Sequence, residues 1–339
     1  MTPGHGTSPR PHELPDASGS LLSGSLLSGS LPSGSSPSGP SGSRPGAATL
    51  GKARSENFPV APAFLPRAWR EGLMAVYGYA RLVDDIGDGD LAPGGHDAVL
   101  LGLDPAATDD RTAMLDALEA DLGRVFGGTD GPPRHPLMLA LQPVVRAHGL
   151  TPESFLGLIE ANRQDQRVAR YATYGELVGY CELSANPVGR LVLDLTGTST
   201  PERIRRSDAV CTALQIAEHL QDVAEDLARD RIYLPGEDMR RFHVTETDLK
   251  APSAGASVRA LVAFETERAR ELLDEGTPLV GSVHGRLRLL LAGFVGGGRA
   301  ALRAVTAAGF DVLPGPPKAT KSVLLREVAA VLRSAPRKG

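Results

Sequence analysis

Apolar residues recur three and four positions apart along most of the chain after about Arg54, a spacing that places them on one face of an α-helix. Runs in which apolar and polar residues alternate, as in a half-buried strand, are nearly absent. The pattern therefore predicts an all-α fold, one helical bundle with short loops. Pro187 predicts a kink in one helix. The predicted helices cover residues 68–85, 111–126, 135–148, 153–165, 174–196, 201–226, 258–273, 283–308 and 321–334.

The first fifty residues do not share this pattern. They repeat Ser-Gly with Leu-Leu inserts over residues 20–30 and then become rich in proline. Such a segment buries too little apolar surface to offset the entropy lost on ordering, and it lacks the unbroken apolar core of a signal peptide. We expect a disordered tail over residues 1–52 and a single all-helical domain over residues 53–339.

Composition narrows the class of protein further. The formal net charge of −4 argues against broad nucleic-acid binding. The chain contains no stretch of eighteen uninterrupted apolar residues, so no membrane span is predicted. Cys181 and Cys211 lie in apolar, helix-like contexts and are expected to be core thiols in a reducing cytoplasm.

Two aspartate pairs with the same spacing stand out against this background. Asp84 and Asp88 follow one apolar run, and Asp222 and Asp226 follow another. A separation of four residues puts both carboxylates of a pair on one helix face, where like charges repel unless cations lie between them. Hard oxygen ligands of this kind suit Mg²⁺, which commonly bridges to substrate phosphates. The alternative is a solvated acidic face, but acids that continue a buried stripe usually have partners or metals.

The residues one turn before each pair extend both polar stripes. Counting back from Asp84 places Arg81 and Tyr77 on its face, and counting back from Asp222 places Glu218 and Gln215 on its face. Two such faces could line a pocket for a metal and a diphosphate. The alternative is a salt-bridge network in which Arg81 pairs with an opposing acid, although one arginine cannot balance five acids.

A third polar segment lies around Pro187. Ala185 and Gly189 leave room beside a helix backbone. They could line a slot for a long apolar chain, or they could allow close helix packing, which the sequence alone favours.

These residues together resemble the squalene/phytoene synthase family, from about Ser55 to the C-terminal region. The strongest matches are residues 77–88, 213–215, 222–226 and 231–235. Residues 55–61 and 184–190 resemble the hopanoid-pathway squalene (hydroxysqualene) synthase branch of that family.

The resemblance implies the isoprenoid synthase helical fold with a central cavity. The four aspartates would then hold Mg²⁺, or Mn²⁺ in its place, against a prenyl diphosphate. Glu218, which stands where the family usually has asparagine, could add a carboxylate ligand. Arg81 and Arg231 would contact the diphosphate, and Lys318 or Lys321 could replace a basic residue usual near the C-terminus. The remaining implied pocket residues are Asn57, Phe58, Tyr77, Asp165, Tyr180, Ala185, Gly189, Gln215 and Tyr233.

The implied reaction is the ionisation of presqualene diphosphate, followed by rearrangement of the cation and its capture to give hydroxysqualene or squalene. NADPH is disfavoured as a cofactor but left open. One alternative is head-to-head condensation of two farnesyl or geranylgeranyl diphosphates, and another is a non-catalytic helical scaffold of the same family. A cytoplasmic location is expected. Peripheral contact with the inner membrane face and with other isoprenoid-pathway enzymes is left open, and no nucleic-acid partner is expected.

Overall fold

The structure is a computed structural model, and it describes Leu50 and residues 61–128 and 131–335. Except for Leu50, the expected tail lies outside the described residues, as do Arg54, Asn57 and Phe58. Within these residues the chain is helical and contains no β-strand, as predicted. The only strand-like pairing in the same residues is an isolated parallel bridge between Arg170 and Ile232.

Helices of ten residues or more form the framework. They are α1 (Arg67–Asp88), α3 (Arg111–Val125), α4 (Pro136–His148), α5 (Glu153–Asp165), α6 (Tyr174–Ser184), α7 (Asn186–Leu195), α8 (Pro201–Gln221), α12 (Ala256–Gly276), α14 (Gly285–Ala307) and α15 (Lys321–Ser334). Shorter pieces lie between them. They are α2 (His96–Leu101), a 3₁₀ helix (Pro105–Asp109), α9 (Val223–Ala228), α10 (Gly236–Arg241), α11 (Glu246–Leu249) and α13 (Pro278–Gly281).

The long helices begin where the sequence supplies caps. Asp110, Thr173, Thr200 and Thr320 each accept a hydrogen bond from a backbone N–H in the first turn of α3, α6, α8 and α15. The short helices were not predicted, because six or fewer residues carry too little periodicity to be recognised.

Two sets of helices pack together to form one core. In the N-terminal set α1 packs against α3, α4 and α5, and in the C-terminal set α8 packs against α7, α12 and α14. Contacts of α5 with α6 and α7, and of α1 with α7, join the two sets. The C-terminal end of α1 and the α8–α9 junction both contribute to the candidate active site.

Two predicted helices are divided. The expected interruption near Pro187 is confirmed, because α6 ends at Ser184 and α7 begins at Asn186 with Pro187 in its first turn. The prediction of one helix over residues 201–226 was wrong, because α8 ends at Gln221 and α9 begins at Val223. The break places acidic residues in the first turn of a new helix, where the helix dipole favours negative charge.

Helix α14 is, among the described residues, the one helix long and apolar enough to cross a membrane. Of its most apolar window, 56% is buried inside the protein. It packs against α8, α12 and α15. These contacts are those of a core helix.

Candidate active site

The end of α1 is shaped by two glycines. Gly89 ends the helix in the left-handed conformation, with φ of 76°. A Cβ atom at Gly87 would lie 1.9 Å from Oδ1 of Asn162, so only glycine lets α5 approach this closely. The Asn162 amide in turn reaches Asp84, with 3.4 Å between Nδ2 and Oδ1. The first aspartate motif, which consists of Asp84 and Asp88, is therefore fixed against α5.

Arg81 and Asp85 form a buried ion pair within α1. Their Nε and Oδ1 atoms are 2.8 Å apart, and each side chain is 3% exposed. The sequence predicted that Arg81 would contact a diphosphate or pair with an acid on another helix. In the structure this arginine pairs with an acid of its own helix, and its contact with a diphosphate stays a prediction.

The second aspartate motif, which consists of Asp222 and Asp226, spans the break between α8 and α9. Asp222 is the residue between the two helices, and its carbonyl accepts a hydrogen bond from the N–H of Asp226 at 2.8 Å. The two residues thus remain one helical turn apart despite the break. Burial, together with the negative charges of Asp226 and Glu225, raises the pKa of Asp222 to about 8. Ionisation of Asp222 is therefore opposed at this junction unless a cation lies nearby.

Two arginines that follow α9 connect the motifs. Arg231 lies 3.3 Å from Asp88 between Nη1 and Oδ1, and Arg229 lies 3.8 Å from the other oxygen of that carboxylate. The backbone N–H of Arg231 donates to the carbonyl of Asp226 at 2.9 Å. Burial raises the pKa of Asp88, and the two arginines offset part of that increase. The first and second motifs therefore belong to one site.

An aromatic cluster surrounds Asp165 beside the joined motifs. The hydroxyls of Tyr180 and Tyr233 donate to its two carboxylate oxygens at 2.8 and 3.2 Å. The rings of Tyr171, Tyr180 and Tyr233 lie within 5.7 Å of one another by centroid. The His219 ring stacks on Tyr233 at 3.7 Å. Burial raises the pKa of Asp165 to about 7, and Arg231 and the two hydroxyls lower it from the value that burial alone would give.

Gln215 and His219 link this cluster to the second motif. The Gln215 side chain is fully buried, its Nε2 lies 3.2 Å from Nε2 of His219, and its Oε1 has no hydrogen-bond partner. If the amide donates to Nε2, the ring proton is assigned to Nδ1, which lies 3.8 Å from Asp226. A buried oxygen without a partner is costly unless a ligand satisfies it.

Two other predicted pocket positions are buried against helices. A Cβ atom at Gly189 would lie 2.4 Å from Oγ of Ser207 and 2.5 Å from Sγ of Cys211, so this glycine allows close packing of α7 on α8. Ala185 is fully buried at the α6–α7 junction. The structure favours the packing alternative for Gly189. Substrate contact by either residue stays a prediction, as it does for Tyr77, which is 1% exposed on α1.

The candidate basic residues near the C-terminus differ in their surroundings. Lys318 is exposed, and its charge lowers the pKa of Asp222 and Glu225, so it lies near the second motif. The preceding Pro317 carbonyl accepts a hydrogen bond from Gln221. Arg299 and Arg303 instead pair with acids of other helices. Of these three basic residues, Lys318 is the one that lies beside an aspartate motif.

Whether these residues fit a divalent cation can be judged from the donors themselves. Within residues 61–128 and 131–335 no group of three or more His, Cys, Asp or Glu side chains converges into a complete metal site. The donors are nevertheless hard oxygens, two of the carboxylates have raised pKa values, and Gln215 Oε1 is buried without a partner. Mg²⁺ keeps several waters and shares its shell with substrate phosphates, so an open arrangement of carboxylates fits it.

Sequence reasoning missed three residues of this site. Tyr171 lies outside the matched motifs and reaches the cluster because residues 169–172 pair with residues 232–237. Asn162 was read as part of a helix, and His219 was passed over between Glu218 and Leu220. The signal available for His219 was its position three residues before Asp222 and seven before Asp226, which places it on the inner side of α8.

Comparisons with known proteins show the family of this chain. The family model described as squalene/phytoene synthase matches residues 52–323. The chain is 33% identical over 232 residues to the hydroxysqualene synthase of Rhodopseudomonas palustris, covering 68% of this chain and 72% of that protein. It is 30% identical over 224 residues to the presqualene diphosphate synthase of the same organism, covering 66% and 74% of the two chains.

A solved structure extends the likeness to the fold. The crystal structure of squalene synthase HpnC from Alicyclobacillus acidocaldarius is 42% identical and superposes with a TM-score of 0.67. The match covers 78% of this chain and 92% of that one. The predicted isoprenoid synthase fold is therefore confirmed.

Proposed function

The chain belongs to the squalene/phytoene synthase family, and we propose that it ionises presqualene diphosphate and captures the rearranged carbocation with water to give hydroxysqualene. The observation that carries this proposal is that Arg231 links both aspartate pairs to the buried aromatic cluster. Its guanidinium lies beside Asp88, its backbone N–H donates to the carbonyl of Asp226, and its charge lowers the pKa of Asp165. The acidic ends suit the diphosphate with its cations, and the aromatic cluster suits the hydrocarbon cation.

The diphosphate half of the reaction depends on charge. Asp84, Asp88, Asp222 and Asp226 would hold Mg²⁺ or Mn²⁺, with Glu218 and Gln215 near the second pair. A bound divalent cation supplies Lewis-acid neutralisation of the leaving diphosphate. Arg229 and Arg231 lie against Asp88 and add positive charge on the same side. Lys318 does the same beside Asp222. These fixed charges stabilise the anion as the carbon–oxygen bond breaks.

The hydrocarbon half depends on the aromatic cluster. Faces of Tyr171, Tyr180 and Tyr233 attract positive charge without forming a bond to it. Their pKa values are raised well above the ordinary range by burial, so each hydroxyl stays neutral and is a poor nucleophile. A neutral, dry surface of this kind lets the cation rearrange before it is captured.

We assign the final proton transfer to Asp165. Water attacks the rearranged cation, a carbon–oxygen bond forms, and the resulting oxonium releases one proton to the Asp165 carboxylate. Tyr180 and Tyr233 hold that carboxylate by donating to both of its oxygens. A base whose pKa lies near 7 suits a proton transfer at neutral pH. Squalene would instead require a hydride donor such as NADPH.

The test is product analysis with purified protein and Mg²⁺. Presqualene diphosphate in heavy-oxygen water, without NADPH, should give hydroxysqualene whose hydroxyl carries the heavy isotope. Farnesyl diphosphate alone is the comparison substrate. Condensation of farnesyl diphosphate with no turnover of presqualene diphosphate would replace the proposal by the condensing alternative. No turnover of either substrate would support the scaffold alternative, and squalene formed only with NADPH would overturn capture by water.

A further inference from the structure

We propose that α15 and the first turns of α14 form a docking surface for an anionic lipid bilayer. The surface, which we call the α15 face, is defined by Arg286, Leu289, Lys321, Leu325 and Leu332. It lies outside the aspartate site, and the inference goes beyond the proposed reaction.

Exposed leucine is the first observation. Leu325 is 69% exposed, the largest value among the exposed large apolar side chains of the described residues, and Leu289 is 47% exposed. Leu332 lies two helical turns from Leu325 on the same side of α15. It lines a shallow hollow together with Leu289 and Arg286. The three leucines therefore form one apolar strip across the junction of α14 and α15.

The second observation is the charge around the strip. Residues 318–335 contain four basic side chains and one acidic side chain, although the whole chain has a net charge of −4. The acid is Glu327, which is 8% exposed and lies 3.3 Å from Arg303. Lys321 lies one turn before Leu325 on its face, and Arg326 and Arg333 lie on the flank away from α14. Arg337 and Lys338 follow in the sequence, beyond the described residues.

Another exposed apolar residue shows why the charge matters. Val99 on α2 is 52% exposed, but residues 96–110 contain four aspartates and no lysine or arginine. Of these two regions, the α15 face is the one in which exposed leucines lie beside an excess of basic side chains. Basic amphipathic surfaces of this composition bind at the headgroup level of anionic membranes, with the leucines inserted and the cations on the lipid phosphates.

The position of the face relative to the active site also favours a membrane. Lys318 lies beside Asp222, and α15 begins three residues later at Lys321. The loop that carries Lys318 beside the site thus continues directly into the α15 face. A hydrocarbon product released near this loop would be close to the bilayer, and this last argument alone rests on the proposed function.

Co-sedimentation of the full chain with vesicles tests the proposal without any substrate. Mixed phosphatidylglycerol and phosphatidylcholine vesicles should bind the protein, and pure phosphatidylcholine vesicles should bind it at least about tenfold less. Leu325→Glu and Leu289→Glu should each weaken binding to the mixed vesicles about tenfold, because each removes an inserted leucine and adds repulsion. Raising the salt concentration should weaken binding as well.

The matched control is Leu139→Glu, because Leu139 on α4 is also 47% exposed. It should leave binding within about twofold of wild type, given the usual small effect of surface changes away from a binding face. Because the substituted leucines are exposed, unchanged circular dichroism is expected for every variant. Equal loss in all three variants, full binding by Leu325→Glu, equal binding to neutral vesicles, or no binding would each overturn the proposal. Product analysis is independent of these outcomes.

Discussion

At the end of α1 buried acids lie against cations, whereas at the α8–α9 junction acids lie mainly against one another. Asp85 has Arg81 at 2.8 Å, and Asp88 has Arg231 at 3.3 Å. Asp222, by contrast, has its pKa raised to about 8 by burial together with repulsion from two neighbouring acids, and Lys318 and Arg229 offset only part of this increase. Asp85 and Asp88 at the end of α1 thus have cations of the protein beside them, whereas the second motif retains the greater demand for added cations.

This difference suggests a division of roles between the two motifs. A balanced ion pair holds α1 in place whether or not substrate is present. An unbalanced cluster becomes favourable only when metal and diphosphate arrive, so its interactions strengthen with the reacting state. Substitutions in each motif can test that division, beginning with the largest expected effect.

The largest effect is expected from removal of one carboxylate in either motif. Asp84→Ala and Asp222→Ala should each lower kcat by about a thousandfold or more, because each removes a charge that would hold the cations on the leaving group. Helical content by circular dichroism should be unchanged. Chelation of divalent metal should silence the wild type to the same degree. Near-normal turnover in either variant with Mg²⁺ present would remove the metal assignment from that motif.

The next test makes the same replacement, aspartate by asparagine, at the end of α1 and at the α8–α9 junction. Asp85→Asn should destabilise the protein by about 3 kcal/mol, because it leaves the buried Arg81 guanidinium without its counter-charge. Asp222→Asn should stabilise the metal-free protein by about 1 kcal/mol, because it removes repulsion from Asp226 and Glu225.

Urea unfolding in chelator measures both changes. Mg²⁺ with inorganic pyrophosphate should then stabilise the wild type and Asp85→Asn more than Asp222→Asn. Destabilisation by Asp222→Asn in chelator would contradict the idea that burial and neighbouring acids oppose ionisation of Asp222.

The contrast between motifs was only partly readable in the sequence. The spacing of Asp84, Asp88, Asp222 and Asp226 predicted two acidic helix faces, because that inference depends on helical periodicity alone. The same periodicity wrongly extended α8 through Asp222. No local sequence signal marks the break there, because it depends on burial and on repulsion between like charges. Pro187 did mark the break between α6 and α7, because its ring lacks a backbone N–H.

Residues brought together by tertiary structure were harder to predict. Asn162 meets Gly87 because α5 crosses the end of α1, and Tyr171 meets Tyr233 because two loops pair at the Arg170–Ile232 bridge. No spacing along the chain encodes either contact. Asp165 was expected from the family resemblance, but its bonds to two tyrosine hydroxyls depend on α5, α6 and the loop after α9 arriving together.

A smaller effect should follow from Asp165→Asn, which lies between the two motifs and acts after ionisation. The proportion of hydroxysqualene among the products should fall roughly tenfold, while consumption of presqualene diphosphate changes less, because capture by water loses its proton acceptor. In wild type that proportion should rise with pH through about 7, as Asp165 loses its proton, and in Asp165→Asn it should not.

Tyr180→Phe provides the control for this assignment. The Tyr180 hydroxyl lowers the pKa of Asp165, so its removal should move the midpoint of the pH profile upward. Asp165→Glu should recover part of the hydroxysqualene. An unchanged product distribution in Asp165→Asn would remove Asp165 from the capture step.

A final test concerns a third acidic pair, outside both motifs, where a single arginine lies against both acids. Nη1 of Arg268 lies 2.5 Å from Asp238 and 3.0 Å from Glu265. Glu265 is 1% exposed, and burial raises its pKa to about 7, with Asp238 raising it and Arg268 lowering it. Folded protein therefore keeps a proton on Glu265 between about pH 4.5 and 7 that the unfolded chain releases. This group stabilises the fold fully below that window, and the contribution is lost as the pH rises through 7.

Glu265→Gln has no such proton to lose, and its amide can still donate to Asp238. It should match wild type near pH 4.5 and exceed it by about 1 to 3 kcal/mol above pH 7, as measured by urea unfolding across that range. Glu271→Gln, at an exposed position on the same helix, should follow the wild-type profile. Turnover should be unaffected in both variants, because Arg268 already balances this pair without added metal. The contrary result would be that Glu265→Gln lowers kcat and leaves the pH profile of stability unchanged. In that case a purely structural role could no longer be assigned to acidic pairs balanced by arginine. The contrast between the two aspartate motifs would then lose its basis.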